Sequence, residues 1–87
     1  MSQVLTASTA QARAGTLMRQ ARVELFCDHP DSALAAIRKA VGELELPQET
    51  LDSEEIVALE RAAWHVRRHD TRAAVAALDL AIERLNA

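Results

Sequence analysis

The chain has 87 residues, is 49% hydrophobic, carries only two aromatic residues (Phe26 and Trp64) and has a net charge of −3. This length suits one small helical domain that buries roughly 60–65% of its unfolded surface. The acidic balance argues against nucleic-acid or membrane-surface roles, which call for a basic excess. A single cysteine, Cys27, cannot form an internal disulfide. The N-terminus shows no basic segment leading into an apolar core, as a secretory signal would. No apolar run approaches the ~20 residues of a membrane span. A cytoplasmic setting is therefore expected.

The periodicity predicts four helices, and no strand pattern competes with them. The first should start near Ser8 or Thr9, because Ser8 and Gln11 have capping-box spacing. Residues 1–7 are expected to fray. Ala14, Leu17, Met18, Ala21 and Leu25 then recur at helical period. Gly15 lies inside this stretch at a cost of about 1 kcal/mol relative to alanine. It either permits a close helix crossing or marks where the helix truly begins. Residues 27–29 form a turn, and Pro30 fits the first position of a second helix, where its missing N–H is no loss. Asp31 complements the positive helix end. Leu34, Ile37, Val41 and Leu44 form its inward stripe, flanked by Ala33, Ala36 and Ala40.

Residues 47–51 form a loop between two hairpins, one covering about 8–46 and the other about 52–86. Asp52 is the expected N-cap of the third helix, with Glu55 as capping-box partner and Leu51 and Ile56 as a hydrophobic staple. That helix should run to about Arg68 with Ile56, Leu59, Ala63 and Val66 inward. Asp70 should cap a fourth, whose stripe is Val75, Leu78, Ile82 and Leu85, with Ala74 and Ala81 alongside.

The second and fourth helices repeat one phrase. Residues 33–41 (ALAAIRKAV) recur 41 positions later as residues 74–82 (AVAALDLAI), each after a short polar break. Two copies of one helical hairpin are the simplest reading. In both copies an alanine is followed four residues on by a large apolar residue and three further on by another alanine: Ala33, Ile37, Ala40 and Ala74, Leu78, Ala81. With the lead-in His29-Pro30-Asp31-Ser32, this resembles the second helix of the tetratricopeptide repeat over residues 14–85. Leu17 or Met18 with Ala21, and Leu59 with Ala62 or Ala63, match the family's first-helix positions. The resemblance implies a helical-hairpin scaffold that binds peptides or proteins, and it carries over no catalytic residue. Two hairpins are too few for an open stack. They must close into a four-helix bundle or bury a face against another chain.

Chemistry is sparse. His65 and His69 stand four apart, a spacing that can present two imidazoles to one metal. Further ligands are lacking nearby, and two solvated histidines at a helix end account for the pattern. Neither a metal nor a cofactor is expected. Cys27 reads as a packing thiol rather than a nucleophile, and His29 as a turn residue. No phosphate loop or hydrolase spacing is present, and the chain is not expected to be an enzyme.

Charge is segregated. Seven acids and no base lie between Glu43 and Glu60, whereas Arg61, Arg67, Arg68 and Arg72 follow with Asp70 as the sole acid. The basic stretch around Trp64 offers an alternative reading as nucleic-acid contacts. The helix macrodipole explains the same polarity without a ligand, and it would also suit an antiparallel dimer.

Val23, Phe26, Val57, Trp64 and Leu80 fall off the inward stripes. Val23 aligns with Trp64 at the repeat offset. The expected function is protein–protein association, with self as a homodimer or with a partner, in a small adaptor or chaperone-like subunit. Val23, Phe26, Val57 and Trp64 are the expected partner-binding residues.

Overall fold

The computed structural model describes residues 2–45 and 54–86, with side-chain environments for residues 10–45 and 54–86. Four helices follow in order: α1 (Ser2–Phe26), α2 (Pro30–Glu45), α3 (Glu54–Arg67) and α4 (Thr71–Asn86). No strand occurs among the described residues. The architecture is the all-α pair of hairpins that the periodicity predicts. Helix α1 differs at its start, which lies at Ser2 rather than Ser8. Nothing in residues 2–14 breaks a helix, since the first glycine is Gly15 and the first proline Pro30. A cap at Ser8 is therefore unnecessary. The Asp52 cap and the Leu51 staple position lie outside the described residues.

Both hairpin turns have the same construction. Asp28 and His69, 41 positions apart, are the non-glycine residues with positive φ, at 62° and 60°. At the first turn, Asp28 N–H donates to Leu25 C=O (3.1 Å) and His29 N–H to Glu24 C=O (2.8 Å). At the second, His69 N–H donates to Val66 C=O (2.9 Å) and Asp70 N–H to His65 C=O (2.9 Å). This is the paired closure of a Schellman motif, which satisfies the last carbonyls of a helix and turns the chain back. The next helix then opens identically, with Ala33 N–H donating to His29 C=O and Ala74 N–H to Asp70 C=O, both at 3.0 Å. Asp70 adds a side-chain cap, its Oδ1 accepting from Ala73 N–H at 3.2 Å. A left-handed conformation costs aspartate less than most residues. Histidine, like aspartate, is enriched among the non-glycine residues found in this region, so His69 suits the equivalent position of the second turn.

The core repeats as well. The largest fully buried side chains are Met18, Ile37, Leu59 and Leu78, one from each helix. They form two pairs at the 41-residue offset, Met18 with Leu59 and Ile37 with Leu78. Fully buried alanines surround them, among them Ala21 with Ala62, Ala33 with Ala74, and Ala40 with Ala81. The expected stripes are therefore inward, but alanines hold the innermost line of α2 and α4. Leu34, Val41, Val75, Ile82 and Leu85 pack beside it, half-buried. No polar side chain is buried among the described residues.

Helix α1 packs on α2 and α4, and α3 packs on α4 and α2. The four helices thus form a closed ring, with α1 and α3 at opposite corners. Contacts along α1 and α4 run in opposite senses: Gly15 meets Leu85, and Arg22 meets Asp79. A side chain at Gly15 would put its Cβ 3.3 Å from Leu85 Cδ2. Of the two roles open to this glycine, the close crossing is the one it fills. At the turn end, a cavity of about 100 Å³ is lined by Leu25, Asp28 and Pro30 and by Val66, His69 and Thr71. These are three pairs at the repeat offset, so an approximate twofold axis passes between the turns.

Two substitutions test these local assignments. Asp70→Ala should lower stability by about 1 kcal/mol through loss of the cap on α4. Gly42→Ala, on an exposed helical site where a new Cβ meets nothing within 4 Å, should raise it by about 0.5–1 kcal/mol. Denaturant midpoints at unchanged slope measure both.

Candidate interaction surface

Among the described residues, Val23, Phe26, Val57, Trp64 and Leu80 are the large apolar side chains that stay exposed, at 58%, 67%, 47%, 50% and 41%. They are the same five that fall off the predicted stripes. Val57 and Trp64 are seven apart on α3 and share its outer face. Leu80 reaches Val57 from α4, where both line a groove of about 210 Å³ with Ala58, Arg61, Glu54 and Arg84. An Arg84–Glu54 ion pair of 2.7 Å joins the two helices there. Val57 and Leu80 thus share one groove, and Trp64 stands farther along the same face of α3, beyond Arg61.

Trp64 has two neighbours on α3 and the turn after it. The Arg68 guanidinium lies 4.7 Å from its ring centroid, within cation–π range. His65 meets it edge-on, with centroids 5.1 Å apart and planes at 72°.

Val23 and Phe26 do not join this face. They project from α1, at the opposite corner of the ring, and Arg22 lies 5.7 Å from the Phe26 ring centroid. The four expected partner-binding residues therefore make two separate patches. Sequence alignment of the repeats placed Val23 and Trp64 at equivalent positions, but equivalence about a twofold axis means opposite sides of the bundle.

The four arginines of the alternative nucleic-acid reading are spread about α3 and the start of α4. Arg61 lines the α3/α4 groove, and Arg67 lines a groove on the other flank of α3, shared with α2. Arg68 is engaged over Trp64, and Arg72 is exposed on the first turn of α4.

The histidine pair is separated by the end of the helix. His65 is on α3, whereas His69 occupies the left-handed position beyond it. The i, i+4 relation that would put both rings on one face ends before His69. No group of three or more potential metal ligands occurs among the described residues. The third histidine, His29, is in the first turn, its Nδ1 2.9 Å from Glu24 Oε1. Cys27 is exposed and unbonded rather than packed, because the Schellman turn carries it past the last core residue, Leu25.

One structural feature had no sequence signal. The α1/α4 seam is bridged by Arg22 and Asp79 at 3.2 Å, with both side chains about half exposed. Such pairing depends on which helices become neighbours, and periodicity does not specify that. No protein-family model, curated protein or solved structure matches this chain.

A double-mutant cycle on Arg22→Ala and Asp79→Ala should give a coupling below about 1 kcal/mol, diminishing with added salt, as expected of an exposed pair. Denaturant unfolding of the two single variants and the double variant supplies the cycle.

Proposed function

We propose that this protein is a non-enzymatic helical interaction module that self-associates through the outer face of α3, as a small adaptor or chaperone-like subunit would. The observation that carries the reading is Trp64, half exposed on the same outer face of α3 as Val57, which shares a groove with Leu80. Single exposed apolar residues are ordinary on protein surfaces. A tryptophan with two aliphatic neighbours and an arginine rim has the composition of an interface centre.

A second copy is the occupant that the charges favour. Helix α3 opens with Glu54 and Glu55 and ends with His65 and Arg67. Two α3 helices packed antiparallel would set each acidic end against the other's basic end, and a twofold arrangement makes that match twice. The tetratricopeptide-like spacing of the repeat fits a module of this kind. Among the described residues no helix is long and apolar enough to cross a membrane. A cytoplasmic setting, where a lone exposed cysteine stays reduced, belongs to the same proposal.

Truncating a central interface tryptophan costs ~2 kcal/mol or more, equivalent to a roughly thirtyfold loss of affinity. Trp64→Ala should therefore weaken dimerisation by at least that factor while far-UV circular dichroism stays unchanged, since Trp64 lies outside the core. Sedimentation velocity over a concentration series reads the first effect. A wild-type protein that stays monomeric at the highest concentrations reached would overturn the proposal.

A further inference from the structure

The α1/α2 and α3/α4 hairpins look outward from opposite sides of the ring, and each carries a shallow groove between its helices. Leu17 and Gln20 from α1 and Ala36 and Lys39 from α2 are among the residues lining the first. An ion pair of 3.0 Å between Arg13 Nε and Glu43 Oε1 continues that line, four residues beyond Leu17 and Lys39. The second groove holds the Glu54–Arg84 pair at 2.7 Å. Glu54 is 41 positions after Arg13, and Arg84 is 41 positions after Glu43. The repeat has kept this bridge and reversed its polarity. The cation is on the first helix of one hairpin and on the second helix of the other.

Within a hairpin the reversal changes nothing, since the pair closes either way. Between copies it decides the sign of a contact. Helical hairpins with open outer faces stack on one another, and stacking by translation has no natural end. In such a stack the α1/α2 face of one copy lies on the α3/α4 face of the next. The ring order then sets α1 over α4 and α2 over α3. Gly15 meets Leu85 within the ring, so Arg13 and Arg84 stand at one height, and their partners Glu43 and Glu54 stand there too. The stack therefore puts Arg13 against Arg84 and Glu43 against Glu54. Lys39 in one groove and Arg61 in the other add a cation on each side. Had the bridge kept one polarity in both hairpins, the same stack would set each charge against its opposite. A twofold contact between two α1/α2 faces, about an axis parallel to the helices, does set each Arg13 against the other copy's Glu43.

We infer that the reversed bridge is an assembly stop. It makes end-on stacking of the hairpin faces of successive copies repulsive, and it leaves closed twofold contacts as those the charges permit. Repulsion of this kind selects among arrangements without strengthening any of them. The stop acts whether or not the outer face of α3 pairs.

The test exchanges the bridge of the first hairpin. Arg13→Glu with Glu43→Arg keeps a pair between α1 and α2, gives it the polarity of the second hairpin and leaves α3 untouched. Sedimentation velocity over a concentration series at low salt should show this variant growing past the dimer. At equal concentration it should hold at least about tenfold more protein in such species than the wild type. In about 1 M sodium chloride, where the screening length is about 3 Å, the difference should vanish. Arg13→Gln with Glu43→Gln removes the repulsion without installing attraction, and its growth should lie between the two. This neutral variant decides alone if the exchanged one loses its helical circular dichroism, and sedimentation identical to the wild type's then overturns the inference. So does open-ended growth of the wild type itself, an exchanged variant that folds and sediments as the wild type does, or growth that salt leaves unchanged. A monomeric wild type whose exchanged variant still grows would refute the α3 dimer and uphold the stop.

Discussion

The thin, alanine-lined crossing of the helices is the constraint from which the rest of this structure follows. Among the described residues, ten of the eighteen buried apolar ones are alanines. Small side chains let helices approach closely, and close approach leaves no volume for a large residue away from the axis. The large buried side chains are accordingly concentrated, with one fully buried residue per helix in Met18, Ile37, Leu59 and Leu78. Leu25, Leu44, Ile56 and Val66 are buried beside that line, and large apolar side chains off the inward faces stay at the surface. Trp64 is on the surface for this reason, and so are Val23, Phe26, Val57 and Leu80. The same thinness limits the area buried per residue, so a further apolar surface to bury would add usefully to a modest stability.

Duplication supplies the second half of the account. The two hairpins share the paired closing bonds of their turns, and their largest buried residues pair at one offset. A twofold ring built from equal halves would have two equal seams and two equal outer corners. Substitution has made them unequal. One outer corner carries Val23 and Phe26 beneath an arginine that is already paired across a seam. The other carries Val57 and Trp64, with Leu80 beside Val57. One seam is bridged by Arg22 and Asp79, and the other has Ala63 and Arg38 at the matching places. The distinctive surfaces of this protein are thus places where the repeat has diverged, while the turns keep their backbone geometry and the core its apolar character.

Much of this was legible in the chain, for identifiable reasons. Helical period is a local property, so the inward faces and the five residues left off them could be read directly. The caps at Pro30 and Asp70 were legible because capping is set by a few neighbouring residues. Three features were not. Helix α1 continues back to Ser2 because a capping box marks where a helix is able to start, not where it must. His69 in the left-handed region carries only a weak sequence signal, since histidine shares with Asn and Asp an enrichment there that most histidines never use; the alignment with Asp28 is the clue that strengthens it. The seams were invisible because Arg22 and Asp79 are 57 positions apart, and only the closure of the ring makes them neighbours. That closure also separates Val23 from Trp64, which alignment alone had brought together.

The closed ring is the claim on which the seams, the two corners and the proposed surfaces all rest. Its most direct test is a nuclear Overhauser measurement between the α-protons of Gly15 and the δ-methyls of Leu85, whose side chain would stand 3.3 Å from a Cβ placed on that glycine. A closed ring predicts a strong cross-peak there, with no comparable contacts between α1 and α3. Absence of the Gly15–Leu85 contact, together with cross-peaks joining α1 to α3, would describe an open stack of hairpins and contradict the account.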